Sequence, residues 1–239
     1  MKRFWVIASV AVFLFSTTTT LSAGEKNLSA ILRGNYTTTS KVFFSPNAAT
    51  QEQRGQYFEL EGIAGGGVEL RYHWPGESFF LSFSIDYLTK SREQLQPVVF
   101  APQRRVPVTE GLRLIPVELG VHTFIPLGSE TMRLSMGGGI SAYAGERILR
   151  VARVDAAMQN KPLKVGIHIA SGFEYQVYSG LWLRGDMKFR DPELRTASRF
   201  TQSEAEYEGL IIPLPQGELS SRINVDGLAF SLGVVVELF

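Results

Sequence analysis

Charge at every second position is the feature of this sequence best placed to do chemistry. Trp182, Arg184, Asp186 and Lys188 alternate with Leu181, Leu183, Met187 and Phe189, and Glu69 and Arg71 alternate with Val68, Leu70 and Tyr72. Glu118, Arg133 and Glu174 stand in the same way between apolar neighbours. In an extended chain such residues share one face. Charges of both signs shut away from water are tolerated only when paired, so these positions predict an interlocked ion-pair core. Its members are Glu69, Arg71, Glu118, Arg133, Glu174, Arg184, Asp186 and Lys188, within a wider inward set that adds Arg33, Glu59, Glu61, Asp86, Lys164 and Glu237. A turn centred on Ser179 sets Glu174 directly opposite Arg184, which makes that the first pair to seek.

The other chemistry-bearing residues read as structural. His73, His122 and His168 share the inward parity. His168 lies about ten residues from its turn, roughly 30 Å along a strand, whereas the other two lie near theirs. They are expected as separate hydrogen-bonded interior groups. Ser171 follows His168 by three positions, which points the two to opposite faces and leaves no hydrolytic dyad. Gly65-Gly66-Gly67 and Gly137-Gly138-Gly139 lack the Lys-Ser/Thr of a phosphate loop. Glycine within a strand marks close packing instead. Cysteine is absent, which removes disulfides, thiol ligands and thiol nucleophiles. No catalytic residue, metal site or cofactor is expected.

The elements that must position these residues are strands. Period two runs through 165–177 and 181–189, joined by Tyr178-Ser179-Gly180. Segments 57–74 and 78–90 flank Pro75-Gly76-Glu77, and 112–125 and 131–144 flank Leu127-Gly128-Ser129-Glu130. A first strand near 28–36 and a last near 225–239 bring the total to eight. Three tight turns alternate with four long polar connections at 37–56, 91–110, 146–162 and 190–222. A transmembrane barrel has this asymmetry, with short periplasmic turns and long extracellular loops.

Energetics assigns the faces. A Lys or Arg on the lipid side near the midplane costs roughly 2–4 kcal/mol. The charged rows therefore point inward, and Leu60, Val68, Leu70, Phe83, Ile85, Val117, Leu119, Met136, Ile140, Leu183, Met187, Phe230 and Leu232 point outward. Outward aromatics gather at two rims, Tyr36, Phe58, Tyr87 and Phe189 at one, Tyr72, Trp74, Phe79 and Tyr175 at the other.

The N-terminus gives an address. Lys2 and Arg3 precede an apolar run over 4–15 and a polar stretch ending at Ala23, the order of a cleaved secretory signal peptide over 1–23. The apolar run has about 12 residues where a spanning helix needs roughly 20. The mature chain, 24–239, then forms one barrel domain. A net charge of +1 argues against a nucleic-acid or other polyanion-binding surface.

On these features, and on the apolar final strand 228–239 (LAFSLGVVVELF) ending in Phe239, the chain resembles the small outer-membrane barrels of the OmpA/OmpX type and, more loosely, the OmpW group. The resemblance covers the whole mature chain and rests on architecture. It implies that Phe239 belongs to the insertion signal read by the barrel-assembly machinery, although Glu237 stands where such proteins usually carry an apolar residue. It also implies roles in adhesion, envelope anchoring, host-factor binding or narrow solute passage, without choosing among them.

The connections are the expected functional surface. Arg147, Arg150 and Arg153 are spaced by three, as on one face of a short helix, where they would meet lipopolysaccharide phosphates or stay solvated. Further on, Glu204, Glu206 and Glu208 give way to Leu210-Ile211-Ile212-Pro213-Leu214-Pro215. An apolar tip of this kind either contacts a partner or packs on its own protein. The expectation is an eight-stranded antiparallel transmembrane barrel, a monomer, embedded in outer-membrane lipid and lipopolysaccharide. It would act as a non-enzymatic scaffold for an extracellular or envelope partner. A narrow porin-like channel is the alternative, followed by a lipid-modifying enzyme.

Overall fold

The computed structural model describes residues 27–98, 101–160 and 162–238. The expected signal peptide and Phe239 lie outside the described residues. Among these no helix is long and apolar enough to cross a membrane. The elements are β1 (Leu28–Phe43), a one-turn helix α1 (Gln51–Arg54), β2 (Tyr57–His73), β3 (Phe79–Val98), β4 (Ala101–Ile125), β5 (Met132–Val151), β6 (Val154–Met158), β7 (Leu163–Tyr178), β8 (Leu181–Arg190), β9 (Glu193–Phe200), β10 (Glu204–Tyr207), β11 (Leu210–Pro213), β12 (Leu219–Asn224) and β13 (Leu228–Glu237).

Eight strands, β1, β2, β3, β4, β5, β7, β8 and β13, close an antiparallel ring, with β13 pairing back on β1. Gly76, Gly128 and Gly180 adopt φ of 74°, 68° and 76° in the three short turns, a region where a side chain is strained. One row of cross-strand partners runs from Val165 through Ala142, Val117, Ile85, Val68, Leu32, Val234 and Leu183, and returns to β7 at Tyr175. Every side chain in the row is apolar or aromatic. The return point lies ten residues from the start, a stagger that tilts the strands strongly from the barrel axis. At a tilt of about 40°, ten residues rise roughly 25 Å, the height of a transmembrane barrel's apolar band.

Three of the four connections expected as loops are mostly strand, and the fourth, 37–56, is strand as far as Phe43. β3 and β4 continue as a paired ribbon through 91–110, β5 turns at Ala152-Arg153 into β6, and 190–222 contains β9, the β10–β11 hairpin and β12. They build a second tier above the first, its wall ordered β2-β1-β12-β9-β6-β5-β4-β3. β6 holds the place next to β5 that β7 holds below. The β10–β11 hairpin forms a separate two-stranded sheet folded over the tip.

The two tiers meet at a change of parity. Buried residues of β1 are Ser29, Ile31, Arg33, Asn35 and Thr37, then Ser40 and Val42; those of β2 are Arg71, Glu69 and Ile63, then Leu60. The switch in β2 falls at Gly62, whose φ is 64°. Both strands flip together, so their mutual register is unbroken. Three expectations are corrected here. Leu60 is buried instead of lipid-facing, Glu59 and Glu61 are exposed instead of inward, and Phe58 packs on an apolar cluster instead of standing at a lipid rim. Elsewhere the break between β8 and β9 holds Pro192, which has no N–H to donate, and that between β12 and β13 holds Asp226-Gly227.

Candidate functional site

The lumen is the place where the sequence concentrates chemistry, and it is filled. In the lower tier, parity sends alternate side chains of every strand inward, and the charged ones join in a continuous chain. Asp186 contacts Arg184; Arg184 contacts Glu174; Glu174 contacts Arg71; and Arg71 donates from Nε to Glu69 at 2.6 Å. Glu69 contacts Arg33, and Arg33 reaches Asp86 at 3.0 Å. Arg190 lies 3.6 Å from Asp86 and 3.4 Å from Glu118, and Glu118 takes Lys188 at the far end. Sign alternates at each step, five carboxylates against five cations, and all ten members except Lys188 are buried. Such groups are stable away from water only with this degree of mutual satisfaction.

Seven of the eight residues read from sequence as the ion-pair core belong to this ladder: Glu69, Arg71, Glu118, Glu174, Arg184, Asp186 and Lys188. Glu174 and Arg184 stand directly opposite in register. Arg133 is apart from it. At the short-turn mouth its guanidinium lies 3.7 Å from the centroid of Trp182 and bonds Glu237 at 3.1 Å, while Trp182 Nε1 donates to the same carboxylate at 3.0 Å. His73, Phe124 and Arg133 border a recess of about 720 Å3 that opens at this mouth.

The histidines are closer than their sequence positions imply. A side chain built at Gly120 would meet His122 Nε2 and His168 Nε2 within 2.8 and 3.3 Å, so the two rings converge there. The strand stagger brings them together: Gly120, Gly139 and His168 are successive partners across β4, β5 and β7. His73 joins through Phe80, whose ring stands 5.3 Å from His73 and 5.1 Å from His122. His168 Nδ1 meets Ser141 Oγ at 2.7 Å, both buried. A Cβ at Gly137 or Gly139 would collide with the backbone of β4, so both glycines serve close strand packing.

Above the parity switch the filling changes character. Val42, Leu60, Ile63, Leu88, Leu112, Leu114, Tyr143, Leu194, Ile223 and Val225 form one apolar cluster. A second, around Val106, Val108, Leu149 and Phe200, is capped by Ala205, Ile212 and Leu214 of the tip hairpin. Arg147 and Glu110 also lie buried inside this tier. Arg147 donates to Glu110 at 3.1 and 2.7 Å and to Ser221 at 2.8 Å. Burial pushes the Glu110 carboxyl above its ordinary value, against the pull of Arg147.

The residues expected at the surface divide. Arg147, Arg150 and Arg153 form no helix: Arg147 is interior, Arg150 pairs with Asp155 at 2.6 Å on the outer wall, and Arg153 is exposed at the β5–β6 turn. The spacing of three is an accident of a strand followed by a turn. In the hairpin Ile212 is buried, Leu210 packs against the upper cluster and Ile211 is exposed.

Comparison with known proteins adds fold-level company only. No family model matches the chain, and no curated protein matches it. Among solved structures it is similar to the Neisserial surface protein A, NspA (10% identity, 88% of this chain and 97% of that one, TM-score 0.46). It is also similar to Ail, the attachment invasion locus protein of Yersinia pestis (10%, 88% and 97%, TM-score 0.43). A third is the outer membrane protease OmpT of Escherichia coli (8%, 93% and 100%, TM-score 0.47). Identities and scores this low carry nothing about activity. The transmembrane-barrel assignment rests on the closed ring and its apolar outer row.

Arg190 is the ladder member that a reading of the sequence misses, although it continues the parity of Arg184, Asp186 and Lys188. Placing a loop boundary at residue 190 hides it. Arg33 and Asp86 carry the right parity and join the ladder through pairings between sequence-distant strands.

Proposed function

We propose that this chain is a plugged outer-membrane barrel, exported by the signal peptide over 1–23. Its lower tier spans the bilayer, and its upper tier stands on the cell surface as a rigid, non-enzymatic scaffold for surface contacts or envelope integrity. The unbroken ion-pair ladder carries this reading. An eight-stranded ring has an interior just large enough for its own side chains, and here those side chains bond to one another across the bore. The folded tip supports the scaffold role, because binding surfaces work best on rigid supports.

Planar-bilayer recording of the refolded chain, with heat-modifiable gel migration as the folding control, tests it. Folded protein should insert without conducting. Steady conductance from folded protein would overturn the plug and favour the narrow channel.

A further inference from the structure

One row on the outside of the upper wall combines aromatic rings with arginines. Across β2, β1, β12 and β9 the successive cross-strand partners are Tyr57, Phe43, Arg222 and Arg195. Val42, Ser221, Ile223, Leu194 and Thr196, which adjoin them in sequence, are buried, so Phe43, Arg222 and Arg195 point outward. Tyr57 is 46% exposed, and Arg195 is exposed.

The two arginines are set against each other. Directly opposed partners hold their Cβ atoms about 4.5–5.5 Å apart, and like charges in that relation are destabilising. Arg222 is nonetheless held in place, its guanidinium 4.3 Å from the centroid of Phe43, whose ring stands 5.4 Å from that of Tyr57. Its Nε has no hydrogen-bond partner. Acids at adjacent positions are engaged with other cations: Glu193 lies 3.5 Å from Arg195, Asp226 lies 3.3 Å from Lys41, and Glu59 is the register partner of Lys41. An anion between Arg222 and Arg195 would relieve their repulsion and accept paired N–H bonds from each.

Height and direction select the anion. Arg195 stands six residues above Phe189, and Phe43 seven above Tyr36, both of the outer aromatic rim. On strands tilted about 40° this is roughly 15 Å. The headgroup zone adds only about 5–8 Å to each side of the hydrocarbon core, so the row lies beyond it. It faces along the membrane, toward the neighbouring molecules of the outer leaflet, and not upward toward the medium. The surface layer of that leaflet at this height is the sugar core of lipopolysaccharide. We infer that the row binds a phosphorylated core oligosaccharide of lipopolysaccharide. A core phosphate bridges Arg222 and Arg195, and the adjoining sugar lies over Phe43 and Tyr57. Three strand spacings, roughly 14 Å, separate Arg195 from Tyr57, which suits an oligosaccharide better than a single headgroup. The inference rests on the outer-membrane reading and names the lipopolysaccharide contact within it.

Titration of the refolded chain in detergent tests it, with heat-modifiable migration as the folding control and native mass spectrometry to count bound molecules. The probes are lipopolysaccharide with a phosphorylated core, the same molecule with its core phosphates removed, and lipid A alone. The phosphorylated core should bind about tenfold more tightly than either of the others. Arg222→Glu and Arg195→Glu should each erase that margin. Arg153→Glu, the same charge change at the β5–β6 turn, should leave it intact. Equal binding of the three probes would overturn the site, and so would an equal loss from Arg153→Glu, which would mean that net charge alone attracts the ligand. Insertion into planar bilayers separates the two readings. A chain that inserts yet shows no core preference loses this site and keeps its membrane placement, whereas a folded chain that never inserts overturns both.

Discussion

The two tiers of this barrel are built on the same strands with their faces exchanged. Below Gly62 the outside is apolar and the inside holds the ladder; above it the outside carries Glu59, Glu61, Arg150 and Arg195, and the inside holds Leu60, Leu112, Leu114 and Ile223. Nothing about strand geometry demands the change. The surrounding medium does. In lipid, the outer face can be apolar at no cost and the inner face is free to hold polar groups that satisfy each other. In water, burial of apolar area drives packing, at roughly 25 cal/mol per Å2. β1 and β2 pass from one regime to the other by a change of parity and two other strands by a break, whereas β3, β4 and β5 keep one inward row and change the residue types along it.

The sharpest way to break the comparison is to remove a charge from the lower tier. Glu174 faces both Arg71 and Arg184, so Glu174→Ala leaves two buried guanidinium groups short of a carboxylate. The expected loss is about 3–5 kcal/mol, read as a lower urea midpoint for the folded barrel in lipid. A near-neutral result would mean a hydrated lumen. The upper tier answers to a different rule. Leu114→Ala should cost about 2–4 kcal/mol through lost contact and a cavity, and the loss should stay local. Hydrogen exchange should quicken in β9 and β12 while ladder strands keep their protection. Exchange that rises equally in both tiers would show one cooperative unit instead of two.

How much of this was legible in the sequence follows from the same contrast. The lipid-facing row and the ladder residues repeat with period two, and lipid forbids exceptions, so Leu183, Arg184 and Asp186 declare their faces directly. Lys164 shows where the rule weakens, having inward parity but lying exposed where β7 runs on past the end of its pairing with β8 at His168. The upper tier is hidden because its strands are polar outside, as loops are. Arg147, Arg150 and Arg153 imitate a helical face, and segment 190–222 imitates a loop while containing four strands. The parity switch at Gly62 depends on a backbone conformation, φ of 64°, that a glycine permits but does not announce. The meeting of His122 and His168 at Gly120 depends on barrel stagger, a property of the closed ring that no local window of sequence contains.

The smallest expected effect compares one ion pair with the ladder. Glu110 is an ion-pair acid inside the apolar tier, with Arg147 as its one cation among the described residues, whereas Glu69, Asp86, Glu118 and Glu174 each touch two. Burial outweighs that one cation and holds the Glu110 carboxyl above its ordinary 4.5. A raised carboxyl binds its proton more readily in the folded than in the unfolded chain. Its stabilising contribution is therefore complete below the ordinary value and is lost as pH rises through the folded one. Between neutral pH and 4.5, acidification should strengthen the protection of tip amides around β4 and β5, after correction for intrinsic exchange. Glu110→Gln, which keeps the shape and cannot titrate, should remove that slope. A slope of opposite sign in the unaltered chain would mean that Arg147 dominates after all, and that one cation in an apolar tier does the work that two share in the ladder.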